Sequence, residues 1–199
     1  MTAMGDVLPY RPMKAKEEAT SLVGMVVFLG SWAMMFATLF FAYGYVRARA
    51  LEWPPDDLPR LPLFLPGVNT AVIFFSSLAM QYGLTSVRRG QIARLFPSVM
   101  LAVALGSLFL VLQTVLWLGL YQDGLRPSSG GNYGAVFYGF TWFHAIHALV
   151  GLAGLGSIAR RALQGAFGPA KFLPVRLWTL YWHFVGIIWA LMFASMFVF

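Results

Sequence analysis

Five long apolar runs, separated by short polar stretches rich in proline, glycine or arginine, set the pattern of this chain. They cover residues 22–46, 67–87, 97–121, 133–159 and 177–199. Each reaches the ~20 residues with which an α-helix crosses a hydrocarbon layer ~30 Å thick. None holds an Asp, Glu, Lys or Arg in its interior, and the strict apolar–polar alternation of a barrel strand is missing. The pattern predicts an all-α integral membrane protein, a five-transmembrane-helix bundle over residues 21–199 with a polar N-terminal tail over residues 1–20. The tail carries Arg11, Lys14 and Lys16 beside Asp6, Glu17 and Glu18 and lacks a short apolar core with a small-residue cleavage site. It reads as a cytoplasmic tail and not as a cleaved signal peptide. The stretch 51–66 repeats proline, which forbids a continuing helix, and 122–132 is a glycine- and serine-rich turn.

Composition agrees with this picture. Of 199 residues, 59% are hydrophobic and 11% charged, whereas a soluble domain carries about 25% charged residues. The net charge of +7 raises the question of nucleic acid. The basic residues, however, fall between the apolar runs and not in one patch, so no nucleic-acid partner is expected. Their distribution reports topology instead. Ten Lys and Arg lie in the tail and the stretches 88–96 and 160–176; four (Arg47, Arg49, Arg60, Arg126) lie on the opposite side. The bias places the tail and the even-numbered loops in the cytoplasm and the C-terminus outside. Trp53, Trp117, Tyr121, Tyr133 and Trp178 fall near span ends, where interfacial aromatics belong. Cysteine is absent, which removes disulfides, thiolate ligands and a Cys nucleophile.

Candidate chemistry is confined to a few polar side chains inside the runs. His144 and His147 sit three apart on one helix, His183 on another, and an ionisable group at membrane depth is a functional candidate by default. One reading is haem ligation by one histidine from each helix, or a copper or iron site using all three; no carboxylate is close in sequence to complete such a site. The other reading, which we favour, is neutral histidines bonded between helices, with no catalytic, cofactor-binding or metal residue in the chain. Gly106, Gln113 and Trp117 share a face of the third helix, with Gln113 bonding across the seam. Asn69 follows Pro66-Gly67 and reads as a helix cap. Ser76 and Ser77 read as bonding their own backbone or a neighbour. His147, Gly151 and Gly154 share a face that admits close approach of another helix. No buried carboxylate is available for proton relay, and a stand-alone transporter would need charges or broken helices at the midplane.

Read in order, the segments GMVVFLGSWAMMFATLFFAY (Gly24 to Tyr43), LPGVNTAVIFFSSL (Leu65 to Leu78), GSLFLVLQTVLW (Gly106 to Trp117), YGAVFYGFTWFHAIHALVGL (Tyr133 to Leu152) and YWHFVGIIWALMFASMFVF (Tyr181 to Phe199) resemble subunit III of the haem–copper terminal oxidases, in its short five-helix bacterial form. The pairing of His144 and His147 with Tyr181-Trp182-His183-Phe184-Val185 is the specific part. The resemblance implies a non-catalytic subunit of a respiratory cytochrome c or quinol oxidase in the bacterial plasma membrane. It implies haem and copper in the partner subunit I and none here, phospholipid bound between helices, and support of the partner's proton uptake. His144, His147, His183, Gln113, Asn69, Trp117 and Trp182 then become structural, lipid-facing or interhelical residues.

Three positions depart from the family pattern. A Glu usual in the first of these helices is Trp32, the Glu of Gln-x-x-Glu-Trp is Leu116, and the Asp usual after His-Phe-Val is Gly186. All three membrane carboxylates are gone together, which avoids an orphaned charge and argues against a proton-uptake role. Rival readings are an accessory protein of nitric-oxide reductase with the same fold and, in other classes, a small b-type cytochrome using His144 or His147 with His183, or a small transporter.

Overall fold

The structure is a computed structural model that describes residues 15–53, 55, 58–127 and 130–198. Asp6, Arg11 and Lys14 of the tail and Asp56 and Asp57 of the first long loop lie outside the described residues. Five helices follow one another: α1 (Ala15–Arg49), α2 (Phe64–Arg88), α3 (Leu95–Gln122), α4 (Gly131–Leu163) and α5 (Leu173–Phe193). A 3-10 turn (Ile92–Arg94) leads into α3, and a π-turn (Ala194–Val198) continues α5. All five elements are long and apolar enough to cross a membrane, and the chain is a multi-pass membrane protein.

α1 to α4 run past the apolar stretches at both ends, and α5 at its start. α1 begins at Ala15 and not near residue 22, α4 extends to Leu163, and α5 starts at Leu173. Charged side chains end a hydrocarbon span but not a helix, because the backbone hydrogen bonds continue into the headgroup layer. Asn69 does not cap α2, because that helix starts five residues earlier at Phe64 and takes Pro66 into its first turn, where a missing N–H costs nothing. The turns between helices use left-handed glycines where they reverse direction, Gly90 (φ 78°) after α2 and Gly165 (φ 68°) after α4.

α2 to α5 form a four-helix bundle, α2 packing on α3 and α5, and α4 on α3 and α5. Its core is a column of large side chains, among them Ile73, Met80, Phe109, Phe137, Phe140, Leu155, Trp182 and Trp189, all buried. α1 lies outside along α4 and α5 and, among its described side chains, buries only the hydrophobic residues Phe36 and Tyr43. It is pinned at one end by the Tyr43 hydroxyl, which donates to the Ser195 carbonyl at 2.8 Å, with Arg47 donating to the same carbonyl at 3.3 Å. Those bonds satisfy a carbonyl left over at the end of α5.

Candidate functional site

The polar residues inside the bundle are spread along it, and several of them tie one helix to another. Trp182 is at the centre. Its indole ring is fully buried and lies between Gly106 of α3 and Gly151 of α4. A Cβ on Gly106 would come within 2.7 Å of the ring, and one on Gly151 within 2.6 Å. Only glycine lets both neighbours approach that closely. The ring nitrogen donates to Ser76 Oγ of α2 at 2.9 Å, and Ser76 donates to the Ala102 carbonyl of α3 at 2.7 Å. One side chain of α5 thus fixes three other helices. Trp178 repeats the motif one turn earlier, packed across Gly154.

Gln113 bonds across the seam as its position requires: Asn69 Nδ2 of α2 donates to Gln113 Oε1 of α3 at 3.3 Å. Trp117 is an interhelical donor, its Nε1 to Thr141 Oγ1 of α4 at 3.0 Å. Trp189, which carries no mark in the sequence as a polar contact, donates to Thr70 Oγ1 of α2 at 2.9 Å. Its seven-residue spacing from Trp182 puts both indoles on one face of α5. Thr141, the acceptor for Trp117, lies one turn from His144 on the same face of α4.

The three histidines occupy two separate environments. His144 is buried and boxed by aromatic rings, with centroid distances of 5.5 Å to Trp189, 5.8 Å to Phe109 and 6.3 Å to Phe36. Neither of its ring nitrogens has a hydrogen-bond partner among the described residues. His147 lies edge-on to Trp32 of α1 at 3.9 Å, and its Nδ1 meets the Phe143 carbonyl at 2.5 Å. A carbonyl only accepts, so Nδ1 carries the proton. Tyr181 of α5 donates to the His147 carbonyl at 3.0 Å. His183 faces α2, where its Nε2 meets Gln81 Oε1 at 3.1 Å, and it lines an apolar cavity of about 320 Å³ with Ser77 and Gly186. Ser77 Oγ has no partner among the described residues, unlike the bond read for it from sequence.

These residues do not fit a haem or a metal ion. His144 is closed in by three aromatic rings, and His183 is engaged on another face of the bundle. Among the described residues no group of three or more His, Asp or Glu is placed to hold a metal. Trp32, Leu116 and Gly186 lie on three different helices, α1, α3 and α5. Trp32 covers His147, Leu116 is buried in the core, and a Cβ on Gly186 would sit 3.2 Å from Ser77 Oγ.

Comparison with known proteins bears directly on this arrangement. The family described as "Cytochrome c oxidase subunit III" matches residues 15–199. The "Cytochrome c oxidase subunit 3" of Thermostichus vulcanus is 33% identical over 178 residues, covering 89% of this chain and 86% of that protein. The "Probable cytochrome c oxidase subunit 3" of Nocardia farcinica is 34% identical over 176 residues, 88% of this chain and 86% of that protein. The protein of the same description from Mycobacterium leprae is 35% identical over 173 residues, 86% of this chain and 84% of its own length.

Proposed function

From the premise that this chain belongs to the cytochrome c oxidase subunit III family, a family of accessory subunits without cofactors, we propose that it is the non-catalytic subunit III of a bacterial respiratory haem–copper oxidase. In that complex it stabilises the catalytic subunit I, which holds the haem and copper, and retains phospholipid. It sits in the plasma membrane with its N-terminus in the cytoplasm, as the ten-to-four division of basic residues argues.

The observation that carries this reading is how the polar side chains are used. Asn69, Ser76, Gln113, Trp117, Trp182 and Trp189 all hydrogen-bond to another helix of the same bundle. They hold helices together, and among the described residues no group of three or more His, Asp or Glu converges on one point. His144, His147 and His183 take packing and interhelical roles in the same scheme. Trp32, Leu116 and Gly186 remove the carboxylates through which such a subunit would pass protons, so support of the partner is structural.

The test is purification through a tag on this chain from the native membrane in mild detergent. Subunit I, with its haem spectrum, is expected to co-purify, and the oxidase of a strain lacking this chain is expected to lose activity faster during turnover. Co-purification with a nitric-oxide reductase and no oxidase overturns the assignment. An oxidase whose turnover lifetime is unchanged without this chain overturns the stabilising role.

A further inference from the structure

We propose that Asn69 of α2, Gln113 of α3 and His144 of α4 share one buried water molecule, which closes a polar layer across the bundle and fixes the axial register of those three helices.

Each of the three side chains is buried, and each has polar capacity left over. Asn69 Nδ2 donates to Gln113 Oε1 at 3.3 Å. The other ends of that pair, Asn69 Oδ1 and Gln113 Nε2, have no partner among the described residues. Both ring nitrogens of His144 are in the same condition. The amide pair thus keeps one acceptor and one donor, and turning both amides over leaves the same inventory. A neutral imidazole adds one acceptor and one donor. At membrane depth no bulk solvent reaches these groups, so leaving them unpaired is costly.

The register of the helices brings them to one level. Trp117 of α3 donates to Thr141 of α4. The two helices run antiparallel, so one turn back along α3 meets one turn forward along α4, which sets Gln113 against His144 and Ala145. Ring contacts lead to the same level. The centroid of His144 lies 5.8 Å from that of Phe109, and Phe109 is one turn before Gln113 on the same face of α3. Trp189 of α5 lies 5.5 Å from His144 and 4.9 Å from Phe109, and its indole bonds to Thr70, the residue after Asn69.

Water suits this inventory. A buried water makes about three hydrogen bonds and both donates and accepts. Here it accepts from Gln113 Nε2 and donates to Asn69 Oδ1 and to the unprotonated nitrogen of His144. The protonated nitrogen stays among the aromatic faces of Phe36, Phe109 and Trp189, where an N–H meets π electrons. An ion is not suited, because the spans hold no Asp, Glu, Lys or Arg in their interiors to balance its charge. A slip of one turn by any of the three helices separates the partners, so the layer specifies how they stack along the membrane normal.

The test is a double-mutant cycle on the assembly purified through this chain, in an SDS series with a proteolytic pulse reporting the folded fraction. His144→Phe keeps a ring in the aromatic box and removes both nitrogens. It is expected to lower the folding equilibrium about tenfold in the parent and to have no such effect where Gln113→Leu has already released the water. Any packing cost of the larger ring appears equally in both backgrounds and cancels. Ser76→Ala, which acts on the node around Trp182, is expected to combine additively with His144→Phe. If His144→Phe stabilises the parent, or acts equally in both backgrounds, the shared water is overturned. A cryo-EM map of the unmodified assembly that resolves ordered water is expected to show one peak about 2.7–3.2 Å from each of Asn69, Gln113 and His144. A direct bond between Gln113 and His144, or ordered water elsewhere in the chain and none at this level, overturns the proposal.

Discussion

Gly151→Ala is the sharpest test of the packing seam around Trp182. The new Cβ would lie 2.6 Å from Cε3 and Cζ3 of Trp182 and 3.1 Å from a ring carbon of Tyr181. Carbon atoms prefer ~3.5–4.0 Å, so a gap of about 1 Å must open. The indole cannot retreat, because Gly106 of α3 abuts it within 2.7 Å of a Cβ position and its N–H is held by Ser76. Overpacking costs about 1–3 kcal/mol, and a pinned ring places this case at the upper end. Alanine returns about 1 kcal/mol through helix propensity. The net expectation is a loss of about 2 kcal/mol, roughly 30-fold in the folding equilibrium. Gly156→Ala is the matched control: a Cβ there meets nothing within 4 Å, so only the propensity gain remains. Both variants are compared in an SDS series on the purified assembly, with a proteolytic pulse reporting the folded fraction of this chain. If Gly151→Ala proves as benign as Gly156→Ala, the seam is not close-packed and the reasoning fails.

Other expectations follow from the same structure. Asn69→Leu or Gln113→Leu alone should cost about 1–3 kcal/mol by stranding a buried amide, and the double variant should lie closer to the parent than either single one in the same SDS assay. His147→Ala removes the ring against which Trp32 lies at 3.9 Å; protease sensitivity of α1 and loss of subunit from the complex should rise, with the haem spectrum unchanged. A hydrophobic carbodiimide should label no residue within the membrane spans, since 22–46, 67–87, 97–121, 133–159 and 177–199 hold no carboxylate side chain; peptide mapping that finds a labelled span contradicts this.

Much of the fold is legible in the sequence because lipid leaves the backbone few options. Uncharged runs of this length have to be helices that satisfy their own hydrogen bonds, so the number and order of spans follow from hydropathy alone. Helix ends are less legible: α1 reaches back to Ala15 because Lys16, Glu17 and Glu18 stop a span without stopping a helix. Residue roles divide along the same line. Gln113 and the glycines of α4 show themselves as a lone amide and a small-residue face, features of one helix. The cap expected at Asn69 fails because the start of α2 depends on whether Pro66 opens the helix or precedes it. The roles of Trp189 and Thr141 are not legible, because a tryptophan or threonine in an apolar run gives no sign of its partner, which is set by the register between helices. That register comes from tertiary packing, and no local pattern records it.

The central claim is that this chain shapes a redox complex without holding a redox centre. Absorption spectra of the purified oxidase before and after selective removal of this chain test it most directly. The haem content per catalytic subunit is expected to stay the same, and the released chain is expected to show no Soret band. A Soret band that travels with this chain would contradict it.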